Sequence, residues 1–363
     1  MVYTMSYDLN EVMRHFKANT DVSPYGEGHI NDTFLADSAP HRYLLQRINH
    51  NIFKDVDGLM NNIVAVTDYL REIITKEGGD PDRETLTVIR TTDDKNYYCS
   101  PEGKYYRMYI YIEDSVAYQQ VENKEQFYHA AKAFGKFQNQ LAGFDASRLN
   151  ETIPDFHNTR ARFAQLKEAI KNDNAGRLKE VQAEVDFALA RENMVGIVVD
   201  AIDKGEIPLR VTHNDTKLNN VLFDNKTDEA VCVIDLDTVM PGSMLYDYGD
   251  SIRFGASSGP EDEKDLDKIY CDLELFDAYT KGFLEELSDS ITEKELDLLP
   301  FSARLMTYEC GIRFLADYLN GDTYFKIHYP EQNLDRCRTQ FKLVADMEAK
   351  DAQMIEIVNK YRK

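Results

Sequence analysis

Tryptophan is absent from the 363-residue chain, and cysteine occurs only five times. Cys99, Cys232, Cys271, Cys310 and Cys337 show no short spacing between any two. That excludes a zinc pattern and a disulfide framework, and it predicts reduced thiols. Basic residues are scarce too: 42 Lys and Arg stand against 64 Asp and Glu, for a net charge of −22. No nucleic-acid partner is expected, because phosphate-backbone binding needs a basic face. Long apolar runs are also missing. The opening MVYTMSYDLNEVMRHF has no apolar core of signal-peptide length. No run of about 20 apolar residues is there to span a membrane. The expectation is a soluble, cytoplasmic protein with no membrane partner.

The material for a large core is present. Hydrophobic residues make up 43% of the chain, with 22 Tyr and 18 Phe, which excludes a disordered chain. At about 100–200 residues per domain, the length predicts two domains or two large lobes. Residues 8–18 read as a short helix. PYGEGHINDTFLA, from Pro24, reads as a glycine-bearing turn and a strand, and RYLLQRIN as a second strand. Val56, Leu59, Ile63, Val66, Leu70 and Ile73 recur at spacings of three and four, predicting a helix over 55–77. Gly78, Gly79 and Pro81 stop it. Strands follow at Leu86 to Arg90 and Tyr105 to Ile112, with a turn-rich hairpin between. Helices are then predicted at 124–141, 159–171, 178–204, 262–287 and 293–319, and from about Asn333. Thr292 and Glu295 form a capping box for the fifth of these. A β segment at 208–240 interrupts them. The pattern predicts an α+β fold: a small β-rich N-terminal lobe over 1–112 and a larger, mainly helical lobe over 113–363.

The strongest chemical signal is LRVTHNDTKLNNVLFDNKTDEAVCVIDLDTVMPG. Phosphoryl transfer passes through a loose transition state, so positioning and charge neutralisation dominate its catalysis. Protein kinases meet that need with H-x-D-x-x-x-x-N followed by a metal-binding Asp. His213, Asp215 and Asn220 have that spacing, and a hairpin from Val221 to Ile234 returns Asp235 to their side. Asp215 is the candidate catalytic carboxylate. Asn220 and Asp235 offer the hard oxygen donors that Mg2+ prefers. Either half of the phrase is common in turns and strand ends; the joint spacing carries the weight.

Two further phrases are informative in that company. In PYGEGHINDTF, Gly26 and Gly28 let backbone N–H groups approach phosphates. His29 and Asn31 sit on the same loop, within reach of a substrate or phosphate, although a Gly pair before a strand is ordinarily just a turn. In LMTYECGIRFLADYLNGDTYF, Glu309, Arg313 and Asp317 fall on one helix face. They form either a surface ion ladder or, given the apolar residues around them, a cleft in which Arg313 grips hydroxyls or a carboxylate.

At these residues the chain resembles the aminoglycoside phosphotransferase and choline kinase superfamily. The phrases PYGEGHIN, LQRIN, RVTHNDTKLNN, IDLDTVMPGSMLYDYGDSIRFGAS and ECGIRFLADYLNGDTYF resemble a branch whose members phosphorylate the anomeric hydroxyl of N-acetylglucosamine or N-acetylgalactosamine. The resemblance runs through nearly the whole chain. It implies a two-lobed protein-kinase-like fold, with ATP between the lobes and adenine near a hinge at Tyr109 to Asp114. It also implies Asp215 as base, Asn220 and Asp235 as magnesium ligands, and His29, Arg313, Tyr324 and Asp237 as sugar contacts. Asp247 matches the position that braces the catalytic loop, together with His213. Two departures stand out. In AFGKFQNQL, Gln138 replaces a histidine of many relatives. On the small-lobe strand, Gln46 or Arg47 stands near the place of the usual kinase lysine. Gly26, Gly28, Asn31, Gln46 and Arg47 are therefore the ATP-binding candidates. Other acceptors, such as choline, homoserine or another sugar, stay open, as does an inactive nucleotide-binding protein; magnesium-dependent ATP turnover with an added sugar separates these.

Overall fold

The structure, a computed structural model, describes residues 9–16, 18, 20–26, 30–287 and 290–362. It opens with α1 (Leu9–Arg14), followed by strands β1 (Val22–Pro24), β2 (Asp32–Ser38) and β3 (His41–Ile48). Helices α2 (Val56–Glu77) and α3 (Pro81–Glu84) come next, then β4 (Val88–Ile89), β5 (Tyr98–Cys99), β6 (Tyr105–Ile110) and β7 (Ser115–Val116). The first sheet runs β1-β2-β3-β6-β4, with β5 beside β6, and its pairs are antiparallel. Side chains alternate across a strand. Leu45, Tyr106 and Met108 pack on one face with Val12, Met13 and Phe16. Ile48 and Tyr109 join the main core on the other face.

Helix α2 forms where the three-and-four spacing predicts. Asp55 caps its start by accepting from the Gly58 N–H at 2.8 Å, and Gly78 ends it in the left-handed region at φ 82°. Its buried stripe includes one amide. Asn62 donates to Val239 O at 2.9 Å and Asn150 O at 2.8 Å, tying α2 to the chain that follows Asp235.

The rest is mainly helical: α4 (Lys124–Gln140), α5 (Thr159–Asn172), α6 (Gln182–Leu189) and α7 (Ile197–Asp203), then α8 (Met244–Gly255), α9 (Leu273–Leu287), α10 (Glu293–Asn320), α11 (Gln332–Ala349) and α12 (Asp351–Lys360). Between α7 and α8 lie β8 (Arg210–Thr212), β9 (Val221–Asp224), β10 (Ala230–Val233) and β11 (Met240–Gly242). The β segment expected at 208–240 thus divides: β8 pairs with β11, while the β9–β10 hairpin is extended by β7. The helix expected over 178–204 is broken into α6 and α7. Gly196 lies at the break, where a Cβ would meet the Arg160 guanidinium at 2.6 Å. The helix expected from 262 begins at Leu273, after the Asp272 carboxylate caps the Glu274 N–H at 2.8 Å. Residues 262–268 hold one apolar side chain, Leu266, and so have no stripe to bury. The closing helix divides into α11 and α12.

Helix α10 opens with the expected Thr292–Glu295 capping box and runs through the interior, packed against α5, α8 and α11. Arg210 anchors its first turn, donating to Glu295 at 2.7 and 2.8 Å. Among the described residues no helix is long and apolar enough to cross a membrane.

Candidate active site

The loop between β8 and β9 carries Asp215. It leaves regular geometry at Asn214, which takes φ 66°. Asp247, buried at the start of α8, accepts the backbone N–H of His213 at 2.9 Å and of Asn214 at 2.7 Å. Gln138 of α4 adds a third donor to the same carboxylate at 2.7 Å, and its other N–H goes to Val211 O at 2.9 Å. The amide in the histidine's place therefore donates directly to the brace. Burial pushes the Asp247 carboxyl up, while these donors pull it down. His213 is fully buried; its Nε2 donates to Ile234 O at 2.8 Å, and its Nδ1 accepts the Asp215 N–H at 3.3 Å. One imidazole thus spans from the catalytic loop to the strand end before Asp235. Thr238 Oγ1 closes the same gap by donating to His213 O at 2.7 Å.

Asn220 donates from Nδ2 to Asp215 O at 2.7 Å and to the Asp215 carboxylate at 3.2 Å. Its Oδ1 is left as an acceptor. Asp235 takes φ 59°, a left-handed position that Asp tolerates better than most residues. Among the described residues its carboxylate has no hydrogen-bond or ion-pair partner. The residue is exposed, yet protein surrounds its carboxyl closely enough that desolvation, then Asp237 and Asp215, push it up to about 7, with Arg107 and Lys217 opposing. A carboxylate without a partner and an amide oxygen left as an acceptor fit Mg2+, which takes one or two protein oxygens and completes its shell with water and phosphates. Among the described residues no cluster of three or more His, Cys, Asp or Glu side chains could hold a metal ion instead.

Lys217, which sequence reading passed over, lies two residues beyond Asp215 in the same phrase. Its Nζ meets Asp215 Oδ1 at 2.7 Å. Burial alone would lower this ammonium's pKa, but Asp215 overrides it and holds Lys217 above the ordinary lysine range.

The small-lobe candidates have partners of their own. Gln46 donates to Thr33 Oγ1 at 3.1 Å and accepts from Arg107 at 2.9 and 3.0 Å. Arg47 pairs with Asp32 at 2.6 Å. Asn31 Nδ2 donates to Asp237 Oδ2 at 2.7 Å, and Asn31 Oδ1 accepts the Asn49 N–H at 2.9 Å. Asp237, expected at the sugar, is 3% exposed, with its carboxylate held by Asn31 and Arg107. Gly26 lies at φ 73°, a turn conformation suited to glycine. Gly28 and His29 lie outside the described residues.

Arg313 does not form the ion ladder that its spacing allowed. Glu309 instead accepts from His157 Nδ1 at 2.7 Å and Thr159 Oγ1 at 2.5 Å. Asp317 accepts the backbone N–H groups of Thr323, Tyr324 and Phe325 at 2.8 to 2.9 Å and the Asn333 amide at 2.9 Å. The Arg313 guanidinium stands among three rings, 5.5 Å from Phe156, 5.9 Å from Tyr324 and 5.5 Å from Phe325. Among the described residues it makes no hydrogen bond or ion pair with a carboxylate, although its charge helps keep Glu309 ionised. It lines a pocket of about 360 Å³ with Arg162, Gln165, Asp317 and Tyr324. None of the lining residues belongs to the catalytic loop. The link is His157, whose Nε2 meets Asn214 O at 3.1 Å while its Nδ1 holds Glu309, one helical turn before Arg313.

A braced Asp loop, a carboxylate that returns two residues before Asp237 and a small antiparallel sheet joined to helices are the arrangement expected of a phosphotransferase. The family model of the phosphotransferase enzyme family (APH) matches residues 21–281, and the chain belongs to this family. Its fold is the protein-kinase-like fold of that family. A microcompartment-associated aminopropanol kinase is 14% identical, with a TM-score of 0.58 over 96% of this chain and 98% of the other. Spectinomycin phosphotransferase in complex with ADP and spectinomycin is also 14% identical, with a TM-score of 0.57 over 95% and 98%. Choline kinase from Cryptosporidium parvum Iowa II gives 14% identity and 0.58 over 97% and 98%. At this identity the three likenesses speak for the fold.

Proposed function

We propose that this phosphotransferase moves the γ-phosphoryl group of ATP to the anomeric hydroxyl of an N-acetylhexosamine, giving ADP and the 1-phosphate. The observation that carries the choice of acceptor is Arg313: a guanidinium without a carboxylate partner, ringed by aromatic side chains and coupled through Glu309 and His157 to the Asp215 loop. A neutral sugar offers hydroxyls, an amide and ring faces, and this site offers directed donors and ring surface in return. Arg162 lines the same pocket, and burial followed by the charge of Arg313 lowers its pKa. Two guanidinium groups, set beside Glu168 and an Asp317 carboxylate already occupied by backbone N–H groups, weigh against a cationic acceptor such as choline, ethanolamine or aminopropanol.

Asp215 orients the hydroxyl and takes its proton; an anomeric hydroxyl is acidic enough to need no strongly shifted base. Asn220 and Asp235 would hold Mg2+, which would supply positive charge to neutralise the phosphates. Lys217, beside Asp215, supplies a further positive charge where the phosphoryl group passes. Residues 1–112 form the nucleotide lobe and 113–363 the lobe for the acceptor. The expected contacts are Gly26, Gly28, Asn31, Gln46 and Arg47 for the nucleotide and His29, Arg313 and Tyr324 for the sugar, with Asp237 the weaker sugar candidate because Asn31 and Arg107 already hold its carboxylate. The test is ADP release with ATP and Mg2+ against a panel of acceptors: N-acetylglucosamine, N-acetylgalactosamine, other free sugars, choline, ethanolamine, aminopropanol and homoserine. The proposal expects turnover with the N-acetylhexosamines. Turnover confined to the amino alcohols would overturn it.

A further inference from the structure

A cation stands on the small-lobe sheet one strand away from the position where kinases keep their lysine. In the β3–β6 register, Arg107 lies directly across from Gln46. Alternation along β6 sends Tyr106 and Met108 to one face and places Arg107 with Tyr109 on the other. The guanidinium is buried, at 1% exposure, and lies 5.2 Å from the Tyr109 ring centroid. Nε and Nη2 donate to Gln46 Oε1 at 3.0 and 2.9 Å, and Nη1 forms an ion pair with Asp237. Asn31 donates to the other oxygen of Asp237 at 2.7 Å. Asp237 sits two residues after Asp235, inside the short 3₁₀ turn Leu236–Thr238. The loop before β2 and strand β6 therefore converge on one buried carboxylate in the turn that presents Asp235.

A buried ion pair is a poor way to gain stability, since desolvation of both charges offsets most of their attraction. Its geometry is the informative feature. The planar fork of an arginine fixes two directions at once, here toward Gln46 and toward Asp237, which a point charge cannot do. We infer that Arg107 is a positioning residue for phosphoryl transfer: through Asp237 it locks the small-lobe sheet to the Asp235 turn, taking over the tethering part of the absent strand lysine. The inference rests on the reading of Asp235 as a magnesium ligand. It also gives Asp237 a task other than contact with the sugar.

The experiment uses the full chain with Arg107→Lys and with the double replacement Arg107→Met/Asp237→Leu. The double variant removes both charges, so no buried ion is left alone. Titration calorimetry measures binding of ATP with Mg2+ and of ATP with EDTA, and a thermal melt reports the fold. Neither Arg107 nor Asp237 touches the Asp235 carboxylate, so the loss acts through the position of the turn. Both variants should bind Mg2+-ATP at least about tenfold more weakly, toward the range seen when a metal ligand loses its outer support, while metal-free ATP changes by less than about twofold. A folded double variant with wild-type affinity for Mg2+-ATP overturns the inference and leaves Arg107 a structural residue. If the double variant does not fold, Arg107→Lys decides by the same two affinities. Asp235→Ala, run alongside, tests the underlying reading separately: equal losses for both nucleotide forms would remove Asp235 from the metal whatever Arg107 does.

Discussion

Replacing Arg313 with alanine separates recognition from stability because of where its neighbours are anchored. Glu309 keeps His157 and Thr159, and Asp317 keeps three backbone N–H groups and Asn333, so neither buried carboxylate loses a hydrogen bond. What disappears from the fold is the guanidinium's contact with Phe156, Tyr324 and Phe325 at 5.5 to 5.9 Å, together with the charge that helps keep the buried Glu309 carboxyl ionised. At a partly exposed site such contacts are worth about 0.5–1 kcal/mol each at best, and none of these is at close range, so about 1–2 kcal/mol in total is a reasonable ceiling. For a chain of this length, that lowers Tm by only about 1–3 °C. Recognition loses more. A hydrogen bond from a charged donor is worth about 1.5–3 kcal/mol, which becomes about a ten- to hundredfold fall in kcat/KM for the acceptor. Steady-state kinetics with each substrate varied in turn, beside a thermal melt, measures all of this. The expected pattern is a raised acceptor KM, an ATP KM close to wild type and a nearly unchanged melt. Arg313→Lys should recover little, because an ammonium lacks the planar fork. A large drop in Tm with both KM values intact would refute the reasoning and make Arg313 a structural residue.

Three other outcomes follow from the same geometry. Asp215→Asn should lower turnover by about 10²–10⁴ while Mg2+-ATP still binds, as calorimetry on the folded variant would show. Asp235→Ala should abolish turnover and weaken Mg2+-ATP binding far more than binding of ATP in EDTA. Glu309 concerns stability against pH: although burial opposes ionisation, His157 and then Arg313 hold its carboxyl below the usual range. A carboxyl depressed in the folded state stabilises the fold above its unfolded value of about 4.3 and loses that contribution as pH falls through the folded value. Glu309→Gln should therefore melt lower than wild type at neutral pH, with the gap closing in acid; a gap independent of pH would argue against an ionised Glu309.

The catalytic loop was legible because its information is local. His213, Asp215, Asn220 and Asp235 lie within one phrase, and the hairpin between them is written as two short apolar runs, Val221–Phe223 and Ala230–Ile234, around a polar turn. Helix α2 was legible for the same reason: its stripe and its Gly78 stop are short-range signals. Arg107 was not, because its meaning comes from a cross-strand register and from Asp237, 130 positions away in the chain. His157 was missed likewise: nothing near it in sequence announces that it joins Glu309 to Asn214. Lys217 could have been found, as a cation two positions past Asp215. The spacing of Glu309, Arg313 and Asp317 suggested a ladder, and only tertiary partners show that both carboxylates are spoken for. The break at Gly196 and the late start of α9 record the ordinary limit of periodicity, which marks faces better than ends.

The central claim is the position of phosphorylation, so the most direct measurement is the structure of the product. The enzyme is incubated with ATP, Mg2+ and N-acetylglucosamine or N-acetylgalactosamine, and the product is examined by phosphorus and proton NMR. The account predicts one new sugar phosphate, formed in step with ADP, whose phosphorus couples to the anomeric proton. Phosphorus coupled to the protons at C6 or another ring carbon, or ADP formed without any sugar phosphate, would contradict it.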